Sequence, residues 1–239
     1  MHIVEGLGCN MGTNYNPTIV TSGLTFCVDA GNIKSYPGSG TTWNDLSGNN
    51  KHGTLVNGPT FSTTAGGSIV FDGTDDYVSS SFSTTATTNI TLQCWVNITD
   101  TSKKGAFMRI GSSGDGYAIG VGNNTMDSLG NEIIGLFPNI RWIDTNTNYG
   151  TGWKFVTFTL NASSVPSIYV NTTLIGSYSG IAPTAPTPGL YIGRVVGNEE
   201  PGIQRAFQGN IATGIVYNRT LSAQEVTQNY IATRRRFGV

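Results

Sequence analysis

Three aspartates, Asp72, Asp75 and Asp76, stand within one five-residue stretch around Gly73. Carboxylate oxygens held in a turn are the hard ligands that Ca²⁺ prefers in proteins. The cluster therefore predicts a structural calcium site. The alternative is that Asp72 and Asp75 shape a tight hairpin, because aspartate side chains accept hydrogen bonds from backbone groups two residues further along the chain.

Aromatic side chains on an exposed strand face could form a platform for a sugar ring. The candidates are Trp43, Trp142, Tyr149 and Tyr191. Trp142 lies in the stretch Asn139-Ile-Arg-Trp-Ile143, where we expect it to face solvent. We therefore expect Trp142 and Tyr149 to contact a host surface glycan. The alternative, that these aromatic residues serve packing alone, stays open.

The acidic residues and histidines form no pattern that would support catalysis. No two glutamates stand two or four residues apart, as a carboxylate pair on one face of a strand would. The two histidines, His2 and His52, belong to the N-terminal segment and to a glycine turn, and no serine or cysteine can be grouped with them. The sequence predicts that the protein is not an enzyme and that it has no cofactor besides the calcium ion.

Length and composition favour one large β domain. The chain has 239 residues, of which 32 are glycine, and only 11% are charged. An average soluble domain has roughly 25% charged residues. A surface so poor in charge fits a protein that is packed in an assembly or exposed outside a cell, although a β-rich fold alone accounts for it nearly as well.

Charge and hydropathy argue against nucleic-acid and membrane partners. The net charge is −1, and the one basic cluster is Arg234, Arg235 and Arg236, which is too short to follow a phosphate backbone. No apolar run approaches the roughly 20 residues that cross a bilayer. The first residues lack the basic start and apolar core of a secretory signal, so we expect synthesis in the cytoplasm.

The two ends of the chain fall outside the strand pattern. Residues 1–21 are expected to form an extended arm, and residues 234–239 a basic tail. An ordered arm needs a surface to lie against, either its own domain or a neighbouring subunit. We predict contacts with neighbouring subunits at Asn14, Tyr15, Arg234, Arg235, Arg236 and Phe237.

The body between the ends, residues 22–233, is predicted to be an antiparallel β-sandwich that closes with one short helix. Residues 211–217 alternate as a strand does, and Ser222 and Glu225 have the spacing of a capping box that opens a helix over 222–233. Turns spaced about ten residues apart separate the strands. We expect strands at residues 23–29, 52–56, 67–72, 76–81, 90–98, 106–111, 116–122, 132–137, 140–143, 153–160, 166–171, 174–178, 189–195 and 207–217.

The three cysteines, Cys9, Cys27 and Cys94, share no metal-binding spacing. Cys27 and Cys94 lie in apolar strands, where a free thiol behaves as a small hydrophobic group. We therefore expect both to be buried free thiols, with no disulfide framework.

Several of these stretches resemble one family. Residues 68–78, which contain Phe-Asp-Gly-Thr-Asp-Asp-Tyr-Val, residues 90–96, the pair 153–159 and 168–171, and the strand-to-helix segment 211–225 are similar, in this order, to laminin-G-like, concanavalin-A-like jelly rolls. The resemblance covers roughly residues 22–236 and implies an all-β, antiparallel jelly-roll sandwich. Related jelly rolls often hold calcium with a further acid on the last strand, which is absent here, and glucanases of this fold use a Glu-x-Asp-x-x-Glu pattern that this sequence lacks.

The opening of the domain, residues 23–49, is similar to jelly-roll proteins encoded among the structural genes of tailed, especially aquatic, phages. This resemblance implies a non-enzymatic virion structural protein, capsid-decorating or tail-associated and anchored by its terminal arms. Its partners would be other virion proteins and copies of itself, and its location the virion after synthesis in the host cytoplasm. The alternative is a receptor- or glycan-binding, lectin-like module of a tail or fibre.

Overall fold

Two antiparallel sheets packed face to face make up the protein. The computed structural model describes residues 18–100, 105–112, 115–122, 132–137, 141–178, 183–194 and 206–239. The first sheet contains β1 (Leu24–Asp29), β4 (Thr60–Ser62), β5 (Ser68–Asp72), β7 (Ile90–Ile98), β12 (Gly152–Leu160), β13 (Pro166–Val170), β14 (Thr173–Ser177) and β16 (Gln208–Tyr217). The second contains β2 (Thr42–Trp43), β3 (Gly53–Val56), β6 (Tyr77–Ser80), β8 (Gly105–Ile110), β9 (Tyr117–Gly122), β10 (Glu132–Phe137), β11 (Arg141–Asn148) and β15 (Leu190–Ile192).

The long strand β16 organises the first sheet. It pairs with β7 along one side, and on its other side residues 208–211 pair with β5 and residues 213–217 with β1. The first sheet therefore has the order β14-β13-β12-β7-β16-β5-β4, with β1 also beside β16. The second sheet has the order β11-β10-β9-β8-β15-β6-β3-β2.

One helix, α1 (Ala223–Thr233), follows β16 and covers the outer face of the first sheet. The predicted capping box is present, because the Glu225 N–H donates to the Ser222 hydroxyl and the Ser222 N–H donates to the Glu225 carboxylate. The expected all-β jelly-roll sandwich with a short C-terminal helix is thus confirmed. No helix in the described residues is both long and apolar enough to cross a membrane.

The main core lies between the sheets and is made of their inward-facing side chains. Along β7, Leu92, Cys94 and Val96 face the second sheet and are fully buried. Trp95 points to the opposite side and is also fully buried, because α1 and the residues after it cover that face. The strands β7 and β16 are thus buried on both faces along almost their whole length.

Only one of the two strand cysteines matches its prediction. Cys94 is a free, fully buried thiol, and burial raises its pKa. Cys27 is fully buried but is bonded in a disulfide. The prediction of a free thiol at Cys27 is therefore wrong, since an odd number of cysteines and unpatterned spacing do not exclude a single bridge.

The end of the predicted N-terminal arm lies against its own domain. In residues 18–21, the Val20 N–H donates to Asn229 Oδ1 of α1 over 2.8 Å, and the Val20 carbonyl accepts from the Tyr217 hydroxyl over 2.9 Å. The chain therefore reaches β1 along the outer face of the first sheet, beside the helix.

The C-terminal segment 234–239, the expected basic tail, lies against the sandwich of its own chain. A 3₁₀ turn, Arg234–Phe237, continues directly from α1. Phe237 is 6% exposed and its ring stacks on Trp95, and Arg236 makes an ion pair with Asp29. The tail docks on its own sandwich because both its aromatic ring and one of its guanidinium groups find partners there.

Because Arg219 and Glu225 form an ion pair, we expect the free energy of unfolding to depend on pH in the acid range. The guanidinium of Arg219 lies 2.5 Å from Glu225 Oε1 and lowers the pKa of Glu225 from 4.5 to about 2. A lowered pKa stabilises the fold above the unfolded pKa, and this contribution is lost as the pH falls from about 5 towards 2. Because the pair is partly exposed, we expect the loss to be about 1 kcal/mol.

Glu225→Gln keeps the cap on the Ser222 N–H but removes the charge, so its stability should fall less than that of the wild type between pH 5 and pH 2. Urea unfolding at a series of pH values measures this difference. Arg219→Gln serves as the control, since it removes the same ion pair from the other side. Equal slopes for the wild type and both variants would contradict the assignment.

Candidate ligand-binding surface

The three predicted metal ligands lie together in the hairpin between β5 and β6. Asp72 ends β5, and its Oδ1 accepts from the Thr74 N–H over 2.7 Å. Asp76 precedes β6, is 5% exposed, and its Oδ2 accepts from the Asp72 N–H over 3.0 Å. Gly73 has a φ of +78° and packs against the Gln208 side chain, so a turn with this shape requires glycine there. The hairpin-shaping alternative is therefore realised at Asp72, whereas the second carboxylate that accepts from the backbone of the turn is that of Asp76.

The same three carboxylates also fit a calcium ion. One oxygen from each of Asp72, Asp75 and Asp76 lies within 4.8 Å of the others. Calcium–oxygen bonds are about 2.3–2.6 Å long, so two ligands on one ion can be up to about 5 Å apart. Burial raises the pKa of Asp76, and the negative charges of Asp72 and Asp75 raise it further. A cation would offset this repulsion, and these three side chains would hold it.

Calcium binding at this hairpin predicts a stability change that depends on Asp75. We expect Ca²⁺ at a hundred times its dissociation constant to raise the free energy of unfolding by about 2.7 kcal/mol. Asp75→Ala should abolish this gain, because it removes one carboxylate ligand and leaves the backbone carbonyl that accepts from Asn57 and Arg194 in place. Thermal unfolding with and without Ca²⁺ measures the effect, and Mg²⁺ is the control cation. An unchanged midpoint of the wild type in Ca²⁺ would leave hairpin shaping as the sole role of the cluster.

Two tyrosines lie next to this hairpin on the outer face of the second sheet. Val78 of β6 and Ile192 of β15 point into the core, so the alternating residues Tyr77 and Tyr191 point outwards. Both tyrosines are half-buried, and their ring centroids are 6.4 Å apart with an interplanar angle of 54°. The two rings therefore lie next to each other on the outer face of the second sheet.

Arg194 joins the two rings to the acidic hairpin. Its guanidinium carbon lies 5.6 Å from the centre of the Tyr77 ring, which is the geometry of a cation–π contact. Its Nη1 donates to the carbonyl of Asp75 over 3.4 Å. We call Tyr77, Tyr191, Arg194 and the three hairpin aspartates the tyrosine–aspartate surface.

The aromatic residues predicted to bind glycan are not part of this surface. Trp142 lies in β11, opposite Leu136 of β10, and its side chain is outside the described part of the chain. Tyr149 is half-buried and packs against the main core, as the packing alternative required. Of the other candidates, Trp43 is fully buried and only Tyr191 lies on the surface. Sequence reasoning missed Tyr77, although its alternation with an apolar neighbour marks an outward position.

The residues predicted to make assembly contacts differ in their surroundings. Asn14 and Tyr15 lie outside the described residues. Arg234 and Arg235 are exposed, whereas Arg236 and Phe237 are held by their own domain. In the single chain these two residues contact their own sandwich, and their contact with a neighbouring subunit stays a prediction.

Comparison with known proteins places the chain among lectin-like sandwiches. A family model described as Laminin_G_3, concanavalin A-like lectin/glucanases superfamily, matches residues 72–227. The chain is similar to Trypanosoma rangeli sialidase in complex with sialic acid, with a TM-score of 0.64, 15% identity, and coverage of 90% of this chain and 34% of the sialidase. No curated protein matches the chain significantly.

Two other solved structures extend the comparison. Domain 4 of AbnA, a GH43 extracellular arabinanase from Geobacillus stearothermophilus, in complex with arabinotriose, has a TM-score of 0.64 at 16% identity, with 87% of this chain and 98% of that domain covered. The binding domain of botulinum neurotoxin serotype D has a TM-score of 0.65 at 13% identity, with 89% of this chain and 52% of that chain covered. The chain therefore spans about a third of the sialidase and nearly all of the arabinanase domain.

These comparisons overturn the prediction that the protein is not an enzyme. That prediction depended on the missing carboxylate pattern of one group of glucanases. The similar chains include a sialidase and a domain of an arabinanase, so this single pattern does not decide whether a sandwich of this kind belongs to an enzyme. Identities of 15–16% show a shared fold alone.

Proposed function

The chain belongs to the concanavalin A-like lectin/glucanases superfamily, and we propose that it binds carbohydrate through the tyrosine–aspartate surface. The observation that carries this proposal is the pair of outward-facing rings of Tyr77 and Tyr191, 6.4 Å apart on one sheet face. Half-buried aromatic rings in a rigid sheet offer an apolar face to the C–H groups of a sugar at little cost in side-chain entropy.

The charges around the rings favour a neutral, hydroxyl-rich glycan. Asp72 and Asp75 lie in the hairpin that leads into Tyr77 of β6, and their carboxylates can accept hydrogen bonds from sugar hydroxyls. An acidic sugar would meet the same carboxylates and be repelled. The Arg194 guanidinium lies over the Tyr77 ring, where it can donate to a neutral hydroxyl beside the aromatic face. Domain 4 of the arabinanase, which was solved in complex with arabinotriose and is covered to 98% by this chain, supports carbohydrate as the general class of ligand.

A glycan array with neutral and sialylated oligosaccharides tests this proposal, followed by calorimetric titration of the strongest ligand. We expect Tyr77→Ala and Tyr191→Ala each to weaken binding by about tenfold, equivalent to about 1.4 kcal/mol. Tyr169→Ala is the matched control, since this half-buried tyrosine lies on the first sheet. Loss of binding in the control as well, or retention in both test variants, would refute the assignment of the surface.

A second candidate function is that of a virion structural protein, capsid-decorating or tail-associated. The observation that favours it is the path of the N-terminal segment: Thr18 and Val20 bind α1 on the outer face of the first sheet, opposite the tyrosine–aspartate surface. If the residues before Thr18 anchor the chain to the virion, the tyrosine–aspartate surface faces away from the virion. Its partners would be other virion proteins and copies of itself, in a virion assembled after synthesis in the host cytoplasm.

Co-sedimentation with purified virion shells tests this role. The full chain should bind the shells, and a variant that begins at residue 18 should not, because it lacks the proposed anchor but keeps the Val20 contacts with α1. Detection of the protein in purified particles by mass spectrometry is the supporting measurement. Equal binding of both chains, or of neither, would argue against anchoring by the N-terminal segment.

A further inference from the structure

The C-terminal Arg-Phe pair occupies a pocket that fits it closely. The ring of Phe237 lies 3.9 Å from Trp95, at an interplanar angle of 14°, and 4.8 Å from Trp153. These distances place one face of the phenyl ring against an indole and an edge against a second indole. The ring is 6% exposed although only Gly238 and Val239 follow it in the described chain.

The neighbouring guanidinium is enclosed by three acceptors. Arg236 donates through Nε to the Ala65 carbonyl, through Nη1 to Asp29 Oδ1 and through Nη2 to the Gly67 carbonyl. The slot exists because Gly31 has no side chain: a Cβ there would overlap the guanidinium. Three acceptors arranged around one planar cation select arginine over lysine.

The pocket is poorly suited to remaining empty. The side chain of Asp29 is 2% exposed, and its partner in the ion pair is Arg236. Withdrawal of the guanidinium would leave a buried carboxylate without this countercharge and an indole face open to water, both of which are costly. If the tail leaves, another guanidinium and another aromatic ring must therefore take the places of Arg236 and Phe237.

The tail itself is attached in a way that permits exchange. Only Arg236 and Phe237 of residues 234–239 are drawn into the domain, while Arg234 and Arg235 are exposed. Fully extended, six residues span about 20 Å, which is enough to cross to an adjacent domain. Exchange of an identical element between copies conserves every contact and so costs little.

From this geometry we infer that the Arg-Phe pocket, formed by Asp29, Ala65, Gly67, Trp95 and Trp153, also accepts the segment 234–239 of a second copy of the chain. In dilute solution each tail fills its own pocket, because the effective concentration of a tethered segment is high. Copies held side by side in an assembly raise the concentration of the competing tail, and exchange then links neighbouring domains. The partner is a second copy because the pocket is complementary to this chain's own C-terminal sequence.

The first experiment supplies the tail as a separate peptide. The acceptor is the full chain with Arg236→Ala and Phe237→Ala, and the probe is the acetylated peptide Arg-Arg-Arg-Phe-Gly-Val. We expect the peptide to bind the acceptor saturably and not to bind the wild type. Quenching of Trp95 fluorescence and a rise in the melting temperature of the acceptor measure this binding. A peptide with Lys in place of the third Arg should bind about tenfold more weakly, and one with Ala in place of Phe should not bind.

The second experiment tests exchange between copies. A donor chain carries a short Gly/Ser linker after Thr233, which loosens its hold on its own tail, and is mixed with the acceptor. We expect a one-to-one complex by native mass spectrometry that disappears when the donor also carries Arg236→Ala and Phe237→Ala. If the double variant does not fold, Phe237→Leu provides a milder acceptor.

Two results would overturn the inference. One is a folded acceptor, with a cooperative melt and the circular dichroism of the wild type, that does not bind millimolar peptide or that binds it no better than the wild type does. The other is peptide binding without any donor–acceptor complex, which would leave a pocket that serves its own chain alone.

Discussion

Replacing Trp95 by alanine is expected to lower the free energy of unfolding by about 4 kcal/mol, within the range for deletion of a buried large aromatic side chain. Trp95 is fully buried, and its indole N–H donates to the Thr233 hydroxyl over 2.7 Å. Its ring also contacts Phe155, Tyr230 and Phe237. The variant therefore loses the contacts that connect the first sheet to α1 and to the C-terminal tail.

Urea unfolding monitored by circular dichroism measures this loss for Trp95→Ala. Ile33→Ala is the control for an apolar truncation without burial, since Ile33 is 77% exposed and should change stability by less than about 0.5 kcal/mol. A loss below 2 kcal/mol for Trp95→Ala would show that α1 and the tail contribute little to the stability of the first sheet.

Replacing Asn229 by alanine is expected to cost about 3 kcal/mol, because it leaves several buried polar groups without partners. Asn229 is fully buried in α1; its Nδ2 donates to Gln93 Oε1 and to the Tyr217 hydroxyl, and its Oδ1 accepts from the Val20 N–H. One amide thus ties the helix, two strands and the N-terminal segment together.

Two measurements distinguish this network from ordinary packing at Asn229. Urea unfolding gives the loss of stability, and limited proteolysis reports release of residues 18–22, which should be cut faster in Asn229→Ala. Gln224→Ala, on the exposed face of the same helix, is the matched control and should leave both unchanged. Unaltered proteolysis of Asn229→Ala would contradict the proposed tie to the N-terminal segment.

Local patterns in the sequence predicted the elements that are long or capped. The helix follows from the spacing of Ser222 and Glu225, and the hairpin follows from the aspartates around Gly73. The strands β2 and β4, with two and three residues, were missed because they are too short to show an alternation. The strand β11 extends to Asn148, beyond the predicted end at 143, because pairing with β10 orders a polar run without hydrophobic periodicity.

The candidate site was predicted in part. The acidic hairpin was found because its three ligands are close in sequence. Tyr77 and Tyr191 are 114 residues apart along the chain (191 − 77) and meet only because β6 and β15 are neighbours in the second sheet. The pocket for Arg236 and Phe237 was missed for the same reason, since β1, β7 and the turn before β5 each contribute to it.

Because Cys94 is buried, chemical modification of its thiol reports separation of the two sheets. This thiol is free, lies between the two sheets on the inner face of β7, and has its pKa raised by burial. A thiol-specific reagent can reach it only when the sheets separate, so fraying of loops or ends does not contribute to the rate of modification. The labelling rate of the folded protein at this single sulfur therefore measures how often the sandwich comes apart.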